Sequence, residues 1–192
     1  MRCVLTTVFL LVIFAVGSAT VYSQQSIPKD LTITLKRTSC FGWCPSYDLT
    51  IKADGSVTFT PYGQFVYRGI GKDPSLPITW RLGPDRLQAL LAEFLKIDFH
   101  SLRKRYGNED NLRNSSSCPE ISTDSPSATI TIVEGGRRKS IHHYLGCTGA
   151  KILSDLVALE DKIDEIANAK EWISQYSWNT ANVIDVQIQK KP

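Results

Sequence analysis

The sequence predicts an α+β protein, a two-layer sandwich in which two amphipathic helices cover a mainly antiparallel sheet built from hairpins. Two observations predict this class. Short segments alternate between apolar and polar residues, and Gly-containing turns join them, as in hairpins. Each of two such blocks is followed by a segment whose apolar residues recur every three or four positions, as on one helix face. Because such a helix must bury its apolar face, and a sheet of hairpins offers a matching face, the two patterns together favour a layered α+β domain.

The first block contains the strongest hairpin signal in the chain. Five segments of this block are predicted as strands: 31–36, 47–52, 57–59, 65–67 and 78–82. Asp54-Gly55 lies between two of them, and an Asp-Gly pair between alternating segments is typical of a tight hairpin turn. An apolar stripe over 87–95 then predicts a helix, for which Pro84 and Asp85 suit the first turn.

The second block repeats this order after a polar stretch, 101–126, which predicts a long surface loop. Alternating segments at 128–133 and 140–145 flank a Gly-Gly turn and predict a second hairpin. An apolar stripe over 152–166 predicts the last helix, with Thr148 as its N-cap.

The N-terminus predicts export. Residues 1–23 have the order of a secretory signal peptide: a basic Arg2, an apolar run over 4–16, and small residues before a cleavage site after Ser23 or Ala19. This run of 13 residues is shorter than the roughly 20 that a membrane-spanning helix needs. The mature protein is therefore expected in the periplasm or outside the cell, with no transmembrane segment.

The rest of the chain is divided by the same patterns. We expect a polar lead over 24–30, a single α+β domain over 31–172, and a C-terminal tail or edge strand over 173–192. The 192 residues carry a formal charge of +3 and are 42% hydrophobic. These values are ordinary for a globular protein, and the weak charge gives no reason to expect a nucleic-acid partner.

The cysteines predict two disulfide bonds. Removal of the signal peptide removes Cys3, which leaves an even number in an exported chain: Cys40, Cys44, Cys118 and Cys147. Three pairings are open from the sequence. A bond between Cys40 and Cys44 requires the chain to fold back between them, which Gly42 permits. If Cys118 were not its partner, Cys147 would be the one plausible reactive thiol, because it precedes a predicted helix start.

No metal or cofactor site is predicted. A metal site could be drawn from four residues: Asp124, His142, His143 and Cys147. However, adjacent histidines on a strand point to opposite faces of the sheet, and disulfides remove the thiolates that zinc requires. We expect His143 to pack or bond within the sheet. The nucleophile-elbow, zinc-protease, phosphate-loop and dinucleotide motifs are absent from the sequence, so no catalytic residue is predicted.

The stretch 37–47, Arg-Thr-Ser-Cys-Phe-Gly-Trp-Cys-Pro-Ser-Tyr, resembles the motif Arg-Thr-x-Cys-x-Gly-x-Cys-Pro-x-Tyr of a bacterial family of unknown function. The similarity continues at 123–126, 143–147 and 159–164 and ends at Trp172. The resemblance implies an exported bacterial protein of α+β type. It implies no activity, substrate or catalytic residue.

Two hypotheses of function remain. The first is a non-catalytic binding or interaction module for a protein or ligand of the envelope or the extracellular space. Constrained loops on rigid sheets commonly carry binding, so the contact region is predicted at Phe41, Gly42 and Trp43, with Tyr62 and Tyr67 nearby. The alternative is a thiol-disulfide oxidoreductase that uses Cys40 and Cys44. That function normally places its attacking thiol at a helix N-terminus, whereas here a strand pattern follows.

Overall fold

The computed structural model of the chain describes residues 26–42, 44–62, 77–107 and 118–177. These residues form nine strands and three helices, in the order β1 (Thr32–Arg37), β2 (Ser46–Lys52), β3 (Ser56–Tyr62), β4 (Ile78–Arg81), α1 (Pro84–Lys96), β5 (Arg105–Tyr106), β6 (Glu120–Ile121), β7 (Ser127–Glu134), β8 (Arg137–Tyr144), β9 (Cys147–Thr148), α2 (Lys151–Ile166) and α3 (Ala169–Ser177). Three of the predicted features lie outside the described residues: the signal peptide, the strand at 65–67 with Tyr67, and Trp43 of the predicted binding loop.

Seven of the described strands form one sheet in the order β4-β3-β2-β1-β7-β8-β5, and β6 pairs with β9 in a separate two-stranded sheet. All pairs are antiparallel except β5 with β8. The α+β class with a mainly antiparallel sheet is thereby confirmed. β1 joins the two predicted hairpins, because it pairs with β2 on one side and with β7 on the other.

The alternation of apolar and polar residues along the strands decides which face of the sheet is buried. Ile33 and Leu35 of β1 and Leu49 and Ile51 of β2 are fully buried, and each faces its partner across the ladder. Between β2 and β3 the turn at Asp54-Gly55 forms as predicted, and Gly55 has the positive φ of +78° that glycine adopts without strain. The buried positions therefore make one apolar face that runs across the central strands.

The opposite face carries a row of hydroxyl groups. Six residues lie side by side in register across six strands: Thr79, Thr58, Thr50, Thr34, Thr131 and Ser140. Threonine suits such positions because its branched side chain fits the pleated surface and its hydroxyl can hydrogen-bond across strands. Thr131 and Ser140, for example, bond across β7 and β8 at 2.9 Å.

The helices differ from the sequence prediction in number and in one boundary. Pro84 opens α1 as expected, but α2 begins at Lys151 with Ala150 as its N-cap, so the N-cap prediction at Thr148 is wrong. Thr148 instead pairs with Glu120 in the small β6–β9 sheet, which moves the helix start by two residues. α3 was not predicted by the stripe pattern, and residues 173–177, expected in a tail or edge strand, are helical.

Side chains of α2 bond to strands β1, β2 and β8, so this helix lies against the sheet. The two-layer arrangement as a whole stays a prediction. Among the described residues no helix is both long enough and apolar enough to cross a membrane.

Candidate functional site

The first disulfide closes a small loop between β1 and β2. Cys40 and Cys44 are bonded, with their Cα atoms 5.5 Å apart, and both lie half-buried at the surface. At the tip, Phe41 is 90% exposed, and Gly42 has a φ of +134°. Trp43, the third residue of the predicted binding loop, lies outside the described residues. The structure thus displays one large apolar side chain on a short, covalently closed loop.

Hydrogen bonds fasten this loop to the segment that precedes β7. The amide of Phe41 donates to the carbonyl of Asp124 at 3.1 Å, and the amide of Thr38 donates to the carbonyl of Ser127 at 2.9 Å. The amide of Ser127 donates in return to the Thr38 hydroxyl at 2.8 Å. Hydrogen bonds therefore attach the N-terminal side of the loop to this segment, and the disulfide ties its C-terminal side to Cys40.

The second disulfide joins Cys118 to Cys147, with a Cα–Cα distance of 5.2 Å, and both cysteines are buried. Cys147 lies in β9, so this bond attaches the chain before β6 to the strand that leads into α2. Of the three pairings open from the sequence, the structure has Cys40–Cys44 and Cys118–Cys147. Because Cys147 is bonded, it is not a reactive thiol in this structure.

The neighbouring histidines of β8, His142 and His143, point in opposite directions, as expected for adjacent residues on a strand. His143 is buried, and its Nδ1 lies 2.9 Å from Oε1 of Glu160 on α2. His142 is half-buried and contacts the hydroxyl of Thr129. In the part of the chain that the structure describes, no group of three or more His, Cys, Asp or Glu side chains is placed to hold a metal ion.

A buried polar cluster lies at the base of the disulfide loop, and the residue patterns alone did not predict it. Arg37, the last residue of β1, contacts three carboxylates of α2. Its Nη2 lies 3.0 Å from Oδ2 of Asp164 and 3.1 Å from Oδ1 of Asp161. Its Nη1 lies 3.5 Å from Oε2 of Glu160. Tyr47 donates its hydroxyl to Oδ1 of Asp164 at 2.7 Å. The cluster thus joins β1 and β2 to the C-terminal half of α2.

Burial and the neighbouring charges together set the protonation of this cluster. Burial raises the pKa of the Asp164 carboxyl above its ordinary value, although Arg37 and the Tyr47 hydroxyl both favour the charged form. Burial also raises the pKa of Tyr47, and the charge of Asp164 adds to the effect. For Arg37, burial disfavours the charged form but the carboxylates outweigh it, so the pKa of the guanidinium is raised. Tyr47 and Arg37 are therefore fixed as a neutral donor and a cation.

A cleft of about 350 Å³ opens beside the cluster. Its lining comes from the strands, the disulfide loop and the last two helices: Arg37, Thr38, Cys44, Pro45, Tyr47, Pro126, Ser127, Leu145, Asp161, Asp164, Lys170 and Ile173. This volume lies at the lower end of the range typical of ligand pockets, about 300–1,000 Å³. The cleft is large enough for one long side chain or a small organic molecule.

One signal in the sequence points to this site. Several residues quoted for the family resemblance line the cleft, although they come from three separate stretches: Arg37, Cys44, Pro45, Tyr47, Pro126 and Asp164. Glu160 and Asp164 also interrupt the apolar stripe of a helix at a spacing of four, which places two carboxylates on its buried face. Buried carboxylates require a cation, which here is Arg37.

Comparisons with known proteins give a family but no function. The chain matches no curated protein. A family model described as "Domain of unknown function (DUF6438)" matches residues 31–167, which is most of the chain and includes both disulfides and the buried cluster. The chain therefore belongs to this family of unknown function.

Proposed function

We propose that this protein is an exported, disulfide-bonded binding module that contacts its partner through the Cys40–Cys44 loop. The observation that carries the proposal is Phe41, which is 90% exposed on a loop closed by its own disulfide. An exposed aromatic side chain on a loop closed by a disulfide binds at a lower entropic cost than one on an open loop, because the bond restricts the conformations of the backbone before the partner arrives. The cleft beside the loop gives the same surface a concave part.

Two features support export. The N-terminal 23 residues have the pattern of a signal peptide, and two disulfides form most readily in an oxidising compartment. Expression of the full chain in a bacterial host should yield an oxidised product in the periplasm or medium, about 23 residues shorter than the gene predicts. A matched chain without residues 1–23 should stay in the cytoplasm. Full-length product in the cytoplasm from the complete gene would refute export.

Pull-down from an envelope extract tests the contact loop. The Phe41→Ala variant and a Trp43→Ala variant should lose partners that the wild type retains, whereas Leu95→Ala should not. Leu95 is the matched control because it is also a large apolar side chain, 65% exposed, but lies on α1. If the loop variants and the wild type retain identical partners, the loop is not the contact region.

The alternative function, thiol-disulfide exchange by Cys40 and Cys44, has one observation in its favour. Both cysteines are half-buried rather than buried, and Cys44 lines the cleft. The bond lies between two strands, however, whereas reactive thiols of this class gain acidity from a helix N-terminus. An insulin-reduction assay separates the two functions: turnover that the double variant Cys40→Ser/Cys44→Ser abolishes would favour the oxidoreductase, and its absence would favour the binding module.

A further inference from the structure

Two basic segments of the sequence meet at one edge of the large sheet. One leads into β5, which is the last strand of the sheet, and the other opens β8, the strand that β5 pairs with. Arg105 of β5 is in register with His142 of β8, and Arg138 lies on the same face of β8, about 13 Å along the strand from His142. We call the five cations of these segments the basic edge: Arg103, Lys104, Arg105, Arg137 and Arg138.

Hydrogen bonds to its backbone hold the first basic segment against β8. The amide of His142 donates to the carbonyl of Lys104 at 2.9 Å. The ammonium of Lys139 donates to the carbonyl of His100 at 3.0 Å and also to the carbonyl of Leu102. Because these bonds use backbone carbonyls of the loop, they position the basic side chains without occupying them.

The charges of the basic edge are not offset by carboxylates. All five side chains are exposed, and none of them forms an ion pair in the part of the chain that the structure describes. The two carboxylates at the same hairpin bond to other groups. Glu134 lies 2.6 Å from Nε2 of His100, and Asp30 accepts the amides of Gly135 and Gly136. Cations gathered in this way attract an anionic partner.

The placement of the basic edge suits a surface better than a pocket or a groove. None of its five residues lines the cleft beside the disulfide loop or the second cleft, which lies between α1 and α2. A single small anion is held by groups that converge on it, and a nucleic-acid strand by a basic groove, whereas these cations are spread along a strand and a loop. An anionic phospholipid membrane presents many phosphates in one plane, and each lysine or arginine near it strengthens binding about fivefold.

We propose that the basic edge holds this protein against the surface of an anionic phospholipid membrane. This goes beyond the proposed binding function, because the disulfide loop contributes none of these residues. Arg138 is level with the start of β1, through Val133 and Thr32, whereas the loop follows the end of β1. The two surfaces are therefore separate and can be tested independently.

The test is co-sedimentation of the processed protein, purified without residues 1–23, with lipid vesicles. Vesicles of equal parts phosphatidylglycerol and phosphatidylcholine should bind the protein at least about tenfold more tightly than vesicles of phosphatidylcholine, which has no net charge. Sodium chloride at about 1 M should release the protein, because it shortens the screening length to about 3 Å. Equal binding to the two vesicles, or binding to neither, would overturn the proposal.

Variants assign the contact to the basic edge. Arg138→Gln should weaken binding to the anionic vesicles about fivefold, and Arg137→Gln/Arg138→Gln about 25-fold. Arg137→Lys/Arg138→Lys keeps both charges and should bind as the wild type does. Arg81→Gln is the matched control, because Arg81 is an exposed arginine of β4, at the opposite edge of the same sheet, and should leave binding unchanged. Equal losses in Arg138→Gln and Arg81→Gln, or no loss in the double glutamine variant, would overturn the assignment.

Competition separates a membrane from other anions. If sodium phosphate released the protein from the vesicles better than sodium chloride of equal ionic strength, the basic edge would be a site for free phosphate. If a single-stranded oligodeoxynucleotide bound more tightly than the vesicles, it would be a nucleic-acid surface. Either result would overturn the membrane proposal. Phe41→Ala should bind the vesicles as the wild type does, and a loss in this variant would assign the membrane contact to the disulfide loop instead.

Discussion

Two aspartates of this chain experience opposite environments. Asp164 is buried, and burial raises its pKa despite the neighbouring Arg37. Asp30 is exposed, and the amides of Gly136 and Gly135, at 2.7 and 2.9 Å, lower its pKa by stabilising the carboxylate. Because a pKa that differs between folded and unfolded chain makes stability depend on pH, these two residues are expected to act in opposite directions.

The pH dependence of two variants should show this difference. The contribution of Asp164 to the free energy of unfolding is complete below the pKa of an unfolded aspartate, about 3.9. It is lost as the pH rises through the raised pKa of the folded state, by at most about 1.4 kcal/mol per pH unit. The wild type should therefore exceed Asp164→Asn in stability by more at pH 3 than at pH 7. The stability difference between the wild type and Asp30→Asn should be larger at pH 7 than at pH 3, because a lowered pKa stabilises the fold only while the carboxylate is charged. Urea unfolding at pH 3, 5 and 7 measures both, and parallel profiles would contradict the assignment.

Two tyrosine hydroxyls offer a matched comparison of buried and exposed hydrogen bonds. Tyr47 donates to Asp164 at 2.7 Å inside the cluster, whereas Tyr62 donates to the carbonyl of Arg37 at 2.9 Å from an exposed position. Tyr47→Phe should lower the free energy of unfolding by about 1–3 kcal/mol, because it leaves a buried carboxylate oxygen without its donor. Tyr62→Phe should cost less than about 1 kcal/mol, because water can replace the hydroxyl. Equal losses in urea unfolding would show that the cluster is more hydrated than its burial implies.

At the scale of elements, the two disulfides should differ in their effect on stability. Cys118 and Cys147 are 29 residues apart and Cys40 and Cys44 are four apart. In the chain-entropy model the longer loop contributes about 3–4 kcal/mol and the shorter about 2. Cys118→Ser/Cys147→Ser should therefore lower the melting temperature more than Cys40→Ser/Cys44→Ser, by about 3–6 °C in calorimetry. A larger loss from the short loop would show that the turn at Cys40–Cys44 organises the sheet instead.

The elements that the sequence predicts correctly are those with local signals. Strands β1 to β3 are predictable because apolar and polar residues alternate along them. The hairpin of β2 and β3 is predictable from Asp54-Gly55, since this turn is adjacent to both strands in the sequence. The parallel pair of β5 with β8 is not predictable in this way, because its partners are far apart in sequence and β5 has two residues. The start of α2 was misplaced because pairing of Thr148 with Glu120 outweighs its capping preference.

The candidate site is non-local for the same reason. Arg37 and Asp164 are 127 positions apart, and Tyr47 and Asp164 are 117 apart, so no window of the sequence contains the cluster. The sequence shows the two parts of the cluster separately. One is the motif that places Arg37 and Tyr47 around two cysteines, and the other is a pair of carboxylates on an otherwise apolar helix face. Which cation meets which carboxylate is decided by how α2 lies on the sheet.

At the scale of the whole molecule, Arg37 connects parts of the chain that are far apart in sequence. Through Asp164 and Glu160 it joins the central strand of the sheet to α2, and Tyr47 and His143 bond to the same two carboxylates from β2 and β8. Removal of one partner from a buried ionic cluster is costly, since the other charges stay buried without compensation. The adjacent Lys36 is also paired, with Asp48, but lies on the solvent side of the same strand.

These neighbours allow a sharp test of what holds α2 to the sheet. Arg37→Met keeps an alkyl side chain but removes the charge, and should lower the free energy of unfolding by about 3–5 kcal/mol at pH 7. Lys36→Met removes the same charge from an exposed pair and should cost at most about 1 kcal/mol. Urea unfolding gives both values, and amide hydrogen exchange should show faster opening of α2 in Arg37→Met alone. The loss in Arg37→Met should shrink towards pH 4, because Asp164 can then accept a proton in place of the missing cation. Similar losses for the two variants, or a loss that does not depend on pH, would mean that apolar packing rather than the ionic cluster holds the helix in place.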